Sequence, residues 1–307
     1  MEFLHIPVLL NECIDNLNIK EDSIVVDGTA GGAGHSTHIA KKLKTGHLYA
    51  FDKDPDAIQT ATSRLQGYPA TVVQLDFCNA AQWLQDQGIT AINGVLLDLG
   101  VSSHQLDDEK RGFSYRSDAP LDMRMSQRGK SAYDVVNGYT ESQLTDILYR
   151  YGEEKFARLI AKKIVAQRQQ APIATTLQLA DVVASALPAA VRRKQKHPAK
   201  QTFQAIRIEV NGELDSLSEG IDSLFEMLAP GGRMCIITFH SLEDRMVKHK
   251  FAALAKGCTC PPDFPICVCG NKPKGTLISK KPILPTEQEL KENTRSHSAK
   301  LRVIEKI

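Results

Sequence analysis

Four short apolar runs in the first hundred residues constrain this chain more than any other feature: SIVV (23–26), HLYAF (47–51), TVVQL (71–75) and GVLLDL (94–99). Each has the length of a strand, and helical patterns such as HSTHIAKKL (35–43) and DPDAIQTATSRL (54–65) lie between them. Strand and helix in alternation predict βαβ units on a mostly parallel sheet. The alternation stops from Gln105 to Lys200, where a charged, Gly-containing loop leads into helices. It resumes with FQAIRIEVNGELDSLSEGIDSLFEML, which has the period of one long amphipathic helix stopped by Ala229-Pro230-Gly231-Gly232. A fifth strand (233–239), the helix SLEDRMVKHKFAALA and a closing KLRVIEK with edge-strand alternation follow. The expected architecture is a doubly wound α/β domain, discontinuous over 1–107 and 201–307, with a mainly helical insertion over 108–200.

The first strand runs directly into VDGTAGGAGHS (26–36), a turn with four glycines. Glycine lets the backbone come close to a ligand that a side chain would hold away. A triphosphate loop needs Gly-Lys-Ser/Thr, and Gly34-His35-Ser36 lacks the lysine. A dinucleotide loop needs G-x-G-x-x-G, a spacing absent here. Asp27, at the strand end, repels a pyrophosphate but accepts hydrogen bonds from an ammonium group. Asp52 ends the second strand, from which a carboxylate can take both hydroxyls of a ribose. Asp76-Phe77 ends the third, where an aromatic ring can pack on an adenine, and Asp98 ends the fourth. A single aspartate at a strand end is usually a turn former or a helix cap. Four in series beside a glycine turn point to an adenosine with an amino-acid tail, S-adenosylmethionine.

Charge is unevenly distributed. The chain carries a net +2, yet residues 150–200 hold eleven Lys/Arg against three acidic residues, a net +8. Concentrated positive charge is the footprint of a nucleic-acid contact, and equally of helices with lysines on their wet faces. No apolar run approaches membrane-spanning length. The acidic N-terminal stretch does not resemble a signal peptide, and seven cysteines, an odd number, suit a reducing cytoplasm. Cys258, Cys260, Cys267 and Cys269 form C-x-C-x6-C-x-C around a Pro-rich turn, a set that can close on one tetrahedral zinc or stand as reduced thiols in a surface loop.

Over nearly its whole length the sequence resembles the bacterial ribosomal RNA small subunit methyltransferase H family. The motifs that carry this are HIPVLLNE, DGTAGGAGHS, AFDKDPDAI, LLDLGVSSHQLDDEKRGFSY, PLDMRM, YGEEKFA, TFQAIRIEVNGEL, LAPGGR, TFHSLEDRMVK and SAKLR. The resemblance implies a Rossmann-like class I methyltransferase domain with an inserted helical domain. It also implies S-adenosylmethionine as methyl donor, and N4 of a cytidine in 16S rRNA of the small ribosomal subunit as acceptor. Carried over by position, the cofactor contacts are Ala33, Gly34, His35, Asp52, Phe77, Asp98 and Gln105. Family members often have glycine where this chain has Ala33, which puts the backbone conformation of the turn in question. The oligomeric state is open, a homodimer included.

The implied chemistry narrows the roles. The exocyclic amine of cytosine is a poor nucleophile because its lone pair is delocalised into the ring. Transfer therefore needs in-line placement and an acceptor that takes a hydrogen bond from the amine. Asp98, with the carbonyls of DLGVSS, is the candidate acceptor, and pure cofactor binding is its equal alternative. Phe113, Tyr115 and His240 are candidates for stacking on the base, each with a structural role as the stronger alternative. No cysteine lies beside DLGVSS, which argues against carbon-5 chemistry. The basic run Arg192, Arg193, Lys194 and Lys196 is the expected RNA contact.

Overall fold

The computed structural model describes residues 7–194, 197–258, 260, 266 and 269–307. They form two compact units, Met1–Gly100 with Asp215–Ile307, and Val101–Leu214. In the first unit, α1 (Leu10–Asn16) and β1 (Ile24–Asp27) precede α2 (Gly34–Ala40), β2 (His47–Asp52), α3 (Pro55–Arg64) and β3 (Ala70–Gln74). A 3-10 turn at Phe77–Asn79, α4 (Ala80–Asp86) and β4 (Ile92–Asp98) complete its N-terminal half. The second unit holds α5 (Ser103–Asp107), α6 (Ala132–Gly138), α7 (Glu141–Gly152), α8 (Ala157–Arg168), α9 (Thr176–Ala186), α10 (Ala189–Lys194) and α11 (Lys200–Asn211). After α12 (Glu213–Met227) the chain adds β5 (Leu228–Thr238), α13 (Ser241–Ala255), β6 (Gly275–Leu277), α14 (Glu287–Glu292) and β7 (Lys300–Lys306).

The sheet has the order β3-β2-β1-β4-β5-β7-β6. The strands β1 to β5 run parallel, and β7 lies antiparallel to both β5 and β6. Successive residues of each strand bury on opposite faces. Val25, Leu48, Leu96, Cys235 and Ile237 join one core cluster, while Val26, Phe51, Val95, Leu97 and Ile236 join another. Burial on both faces is why these strands read as continuous apolar runs rather than as alternating ones. The strand order reverses between β1 and β4, since β2 follows β1 on one side and β4 joins it on the other. Ligands of open α/β sheets sit beyond the carboxyl ends of the strands at such a point. Asp27 and Asp98 are the last residues of the two strands that flank it.

Three expectations change. The junctions expected after Asp107 and Lys200 fall after Gly100 and Leu214 in the structural units. The cause is α11, whose apolar face (Phe203, Ala205, Ile206) is buried in the helical core with Leu144 and Leu148 of α7, while Val101 and Leu106 also pack on that core. The long helix read through 203–228 is two helices. Gly212 takes φ 60°, a left-handed conformation open to glycine, and ends α11 before α12 begins. The periodic pattern runs on across the break, which is why it reads as continuous. Lastly, β7 is interior to the sheet, because the short β6 covers its outer side.

Candidate active site

The glycine turn is held from below by Asp27. Its carboxylate accepts from Ser36 Oγ at 2.5 Å and from the Thr29 amide at 3.1 Å. The residue is 1% exposed, and burial raises its pKa to about 6 against those two hydrogen bonds. Asp27 is therefore an internal brace, and the expectation that it takes a ligand ammonium group is corrected. At 1% exposed, its carboxylate presents no surface to a ligand, whatever lone pairs those two bonds leave. The hydroxyls of Thr29 and Ser36 were missed by sequence reasoning, although both lie inside the quoted motif. Thr29 Oγ1 also accepts from the Asp98 amide at 2.6 Å, tying the turn to the end of β4.

The brace has a pH signature. The unfolded carboxyl titrates near ~3.9 and the folded one near 6, so the unfolded chain ionises first as pH rises. A destabilising contribution thus appears between those values and persists above them. Asp27→Asn keeps an acceptor and removes this titration. Relative to the parent, the variant should gain on the order of 1–3 kcal/mol between pH 4 and pH 8. Denaturant midpoints of the pair across that range check it. A stability difference independent of pH would show that Asp27 titrates alike in the folded and unfolded chain, with no shift from burial.

Ala33 takes φ 58° and ψ 30° at the N-cap of α2, a left-handed conformation that glycine adopts without strain and that an alanine keeps here. Its methyl is 0% exposed and packs in the core cluster. Left-handed alanine costs roughly 1–2 kcal/mol, and the buried methyl offsets about 0.8 kcal/mol of that. Ala33→Gly should therefore leave the melting temperature nearly unchanged. Ala33→Val, β-branched in a filled left-handed site, should cost about 3 kcal/mol or more. If valine is tolerated in thermal melts, the turn is not held as described.

Gly34 opens α2, where a Cβ would come within 2.5 Å of Pro7 Cγ. Next to it His35 is buried, with Nε2 3.0 Å from the Val8 carbonyl oxygen and Nδ1 3.6 Å from Asp98 Oδ2. A carbonyl only accepts, so the proton sits on Nε2 in the neutral ring. Asp52, half-buried at the end of β2, accepts from the Gly31 amide (Oδ2, 2.8 Å) and the Asp54 amide (Oδ1, 2.9 Å). Burial raises its pKa to about 6, and the two amides oppose that. Each oxygen keeps a second lone pair for an incoming hydroxyl. Phe77 is 8% exposed and belongs to the core. A Cβ on Gly28 would stand 2.8 Å from Phe77 Cβ, and one on Gly220 2.6 Å from its Cδ2. The ring thus packs against two glycine backbones and offers a ligand little more than an edge.

Asp98 differs from the others. Its Oδ1 is buried without a hydrogen-bond partner, and the side chain as a whole is 26% exposed. Burial, then Asp27, then Glu243 push its pKa to about 8. Asp52 and Asp98, both with pKa values raised by burial, thus stand at the ends of β2 and β4, and the buried Asp27 between them raises both further. Such a set fits a ligand that brings positive charge and hydroxyl donors, and disfavours a pyrophosphate. The residues present therefore suit S-adenosylmethionine, whose sulfonium and ammonium groups are cationic and whose ribose donates.

The remaining expected residues lie elsewhere. Gln105 belongs to the second unit, where its Oε1 accepts from the Ser102 amide at 2.9 Å in a capping box at α5. Phe113 is buried in that unit's core. Tyr115 stacks on His197 with ring centroids 4.1 Å apart and meets Phe203 edge-on. His240 caps α13, with Glu243 as its capping-box partner. Each of the three thus has a packing or capping partner. Arg192, Arg193 and Lys194 fall on α10, and Lys196 lies outside the described residues. Arg158, Lys162 and Lys163 are exposed on α8, whereas Arg168 is spent on the Val136 and Tyr139 carbonyls that end α6. Of the cysteine set, Cys258, Cys260 and Cys269 come together, and Cys267 lies outside the described residues.

Comparison with known proteins finds relatives over the whole chain. A ribosomal RNA small subunit methyltransferase H 2 from Agathobacter rectalis is 56% identical over 311 residues, covering 100% of this chain and 99% of the relative. Ribosomal RNA small subunit methyltransferase H proteins from Lachnospira eligens and Clostridioides difficile are 54% and 55% identical, each over 100% of this chain and 99% and 100% of their own. The family model of the MraW methylases matches residues 2–307. With the glycine turn, the strand-end carboxyls and the sheet order all inside that match, the chain belongs to the MraW methylase family.

Proposed function

We propose that this protein transfers a methyl group from S-adenosylmethionine to N4 of a cytidine in 16S rRNA of the small ribosomal subunit. The observation that carries the reading is Asp98, with a buried and unpartnered acceptor oxygen at the end of β4, beside the switch point. S-adenosylmethionine supplies an electrophilic methyl on a sulfonium. Asp52 takes the ribose hydroxyls, the Ala33-Gly34-His35 turn lets the backbone close on the cofactor, and the Phe77 edge borders the adenine. Gln105 is assigned to the cofactor by its motif alone. Asp98 accepts a hydrogen bond from the target amine and localises its lone pair as the new C–N bond forms. The amine acidifies as it is methylated, so a strong base is not needed. An exocyclic amine must leave its stack to be reached, so the substrate nucleotide is unpaired or flipped out.

The relatives' names concern ribosomal RNA of the small subunit, and no described helix is long and apolar enough to cross a membrane. The setting we infer is the cytoplasm. We assign Arg192, Arg193, Lys194 and Lys196 to the RNA phosphates, with the exposed cations of α8 as further contacts. Reversing charge at Arg192, Arg193 and Lys194 should weaken RNA binding at low salt by at least about tenfold and flatten the salt dependence by roughly 0.7 per lost phosphate contact. An unchanged affinity and slope would remove that surface from the assignment.

The deciding experiment supplies labelled methyl donor and isolated small subunits, then digests the RNA to nucleosides. Label in N4-methylated cytidine supports the proposal. Label in another nucleoside moves the reaction to a different acceptor. Cofactor binding without transfer makes the protein an assembly factor that uses the same fold.

A further inference from the structure

The thiols between α13 and β6 have no part in methyl transfer as derived above. We propose that Cys258, Cys260 and Cys269 hold a structural zinc ion. Their sulfur atoms lie within 4.8 Å of one another, and Cys258 Sγ and Cys269 Sγ are 3.7 Å apart. Two thiolates on a tetrahedral zinc, each at about 2.3 Å, stand about 3.7–3.8 Å apart. A disulfide would need roughly 2.0 Å.

The backbone supplies donors that a thiolate would use. The Cys260 amide points at Cys258 Sγ at 3.4 Å, and the Asn271 amide points at Cys269 Sγ at 3.5 Å. In both cases the amide two residues on donates to the sulfur, the outer hydrogen bond that stabilises a charged sulfur ligand. Gly270 makes the second turn possible, with φ 62° in the left-handed region.

The neck of the loop holds these turns face to face. Asn271 Nδ2 donates to the Gly257 carbonyl at 2.7 Å and to that of Lys256 at 3.2 Å, and the Lys274 amide donates to the Leu254 carbonyl at 2.8 Å. Cys258 follows one side of this neck directly and Cys269 precedes the other. The two sulfurs therefore meet before any ion binds, and ordering costs less at binding. Softness selects the metal: sulfur ligands at tetrahedral spacing suit zinc over magnesium or calcium. The inference does not depend on the reaction assigned above.

The test is the metal content of the full-length protein purified without added zinc, followed by cobalt exchange. About one zinc per chain is expected, with a thiolate-to-cobalt charge-transfer band and strong visible bands of a tetrahedral site after exchange. Cys258→Ser, Cys260→Ser and Cys269→Ser should each lose the metal, and Cys267→Ser shows whether the same loop supplies a fourth ligand. Cys78→Ser, outside the cluster, should keep it, which separates ligand loss from general misfolding. Zinc below about a tenth per chain, zinc retained by all the cluster variants, or a Cys258–Cys269 disulfide in fresh protein would each overturn the site.

Discussion

Asp98→Asn should lower kcat by about two to three orders of magnitude, the usual cost of removing one positioned group that meets developing charge. The asparagine has nearly the same shape, so the turn that Thr29 ties to the Asp98 amide stays in place. What changes is the acceptor. An amide oxygen is neutral and accepts more weakly, and its NH2 end presents donors to an amine that is itself a donor. Cofactor Kd should stay within the same order of magnitude. The parent's kcat should fall as pH drops through an inflection at or below 8, because burial lifts the carboxyl's pKa to about 8 and the ionised form is much the stronger acceptor for the amine. The cofactor's positive charge moves the inflection downward. The variant should lack this limb. Its stability should also rise relative to the parent between pH 4 and pH 8, because the unfolded carboxyl ionises near ~3.9 and the folded one resists until about 8. Single-turnover rates and calorimetric binding on both proteins decide the matter. If Kd rises while kcat at saturating cofactor holds, Asp98 only binds the cofactor and the acceptor role fails.

What could be read from the sequence follows the range of the interactions involved. The strand-end positions of Asp27, Asp52 and Asp98 were legible because a parallel strand is a short apolar run, whereas Asp76 lies two residues past β3 and caps the 3-10 turn at Phe77–Asn79. The doubt about Ala33 was legible too, since a turn rich in glycine advertises left-handed positions. Asp27 was misread because its partner, Ser36, lies nine residues on and reaches it only after α2 has formed. From sequence, a brace and a ligand contact look alike. Phe77 was seen as an adenine platform, but two glycines, Gly28 and the distant Gly220, let the ring sink into the core. Gln105 was placed by motif, and its capping bond to Ser102 is visible only as the serine three residues earlier. The α11–α12 break is local, a left-handed Gly212 inside a periodic pattern that runs on across it, whereas the place of β7 depends on its pairing with β5 and β6, which periodicity does not encode.

Asp52→Asn should raise the cofactor's Kd by about a hundredfold. Two charge-assisted hydrogen bonds to the ribose are lost or weakened, on the order of 1.5–3 kcal/mol each, less what the amide oxygen retains. The structure adds a second reason. Asp52 Oδ2 accepts from Gly31 of the glycine turn, and Oδ1 accepts from the Asp54 amide. Asparagine has one acceptor oxygen, so one of these amides would face an NH2 donor instead. If the Gly31 bond is the one lost, the turn loosens where it must close on the ligand. Asp52→Glu is the informative companion, because it keeps the charge but extends the carboxylate by a methylene and cannot hold both amides. It should bind the cofactor better than Asp52→Asn and worse than the parent. Turnover at saturating cofactor should stay near the parent's in both, because neither touches the amine acceptor. An unchanged Kd in Asp52→Asn would mean that the ribose lies elsewhere, and the end of β2 would then be only a turn. A fall in kcat without a change in Kd would instead place Asp52 beside the reacting atoms, exchanging its role with the one derived for Asp98.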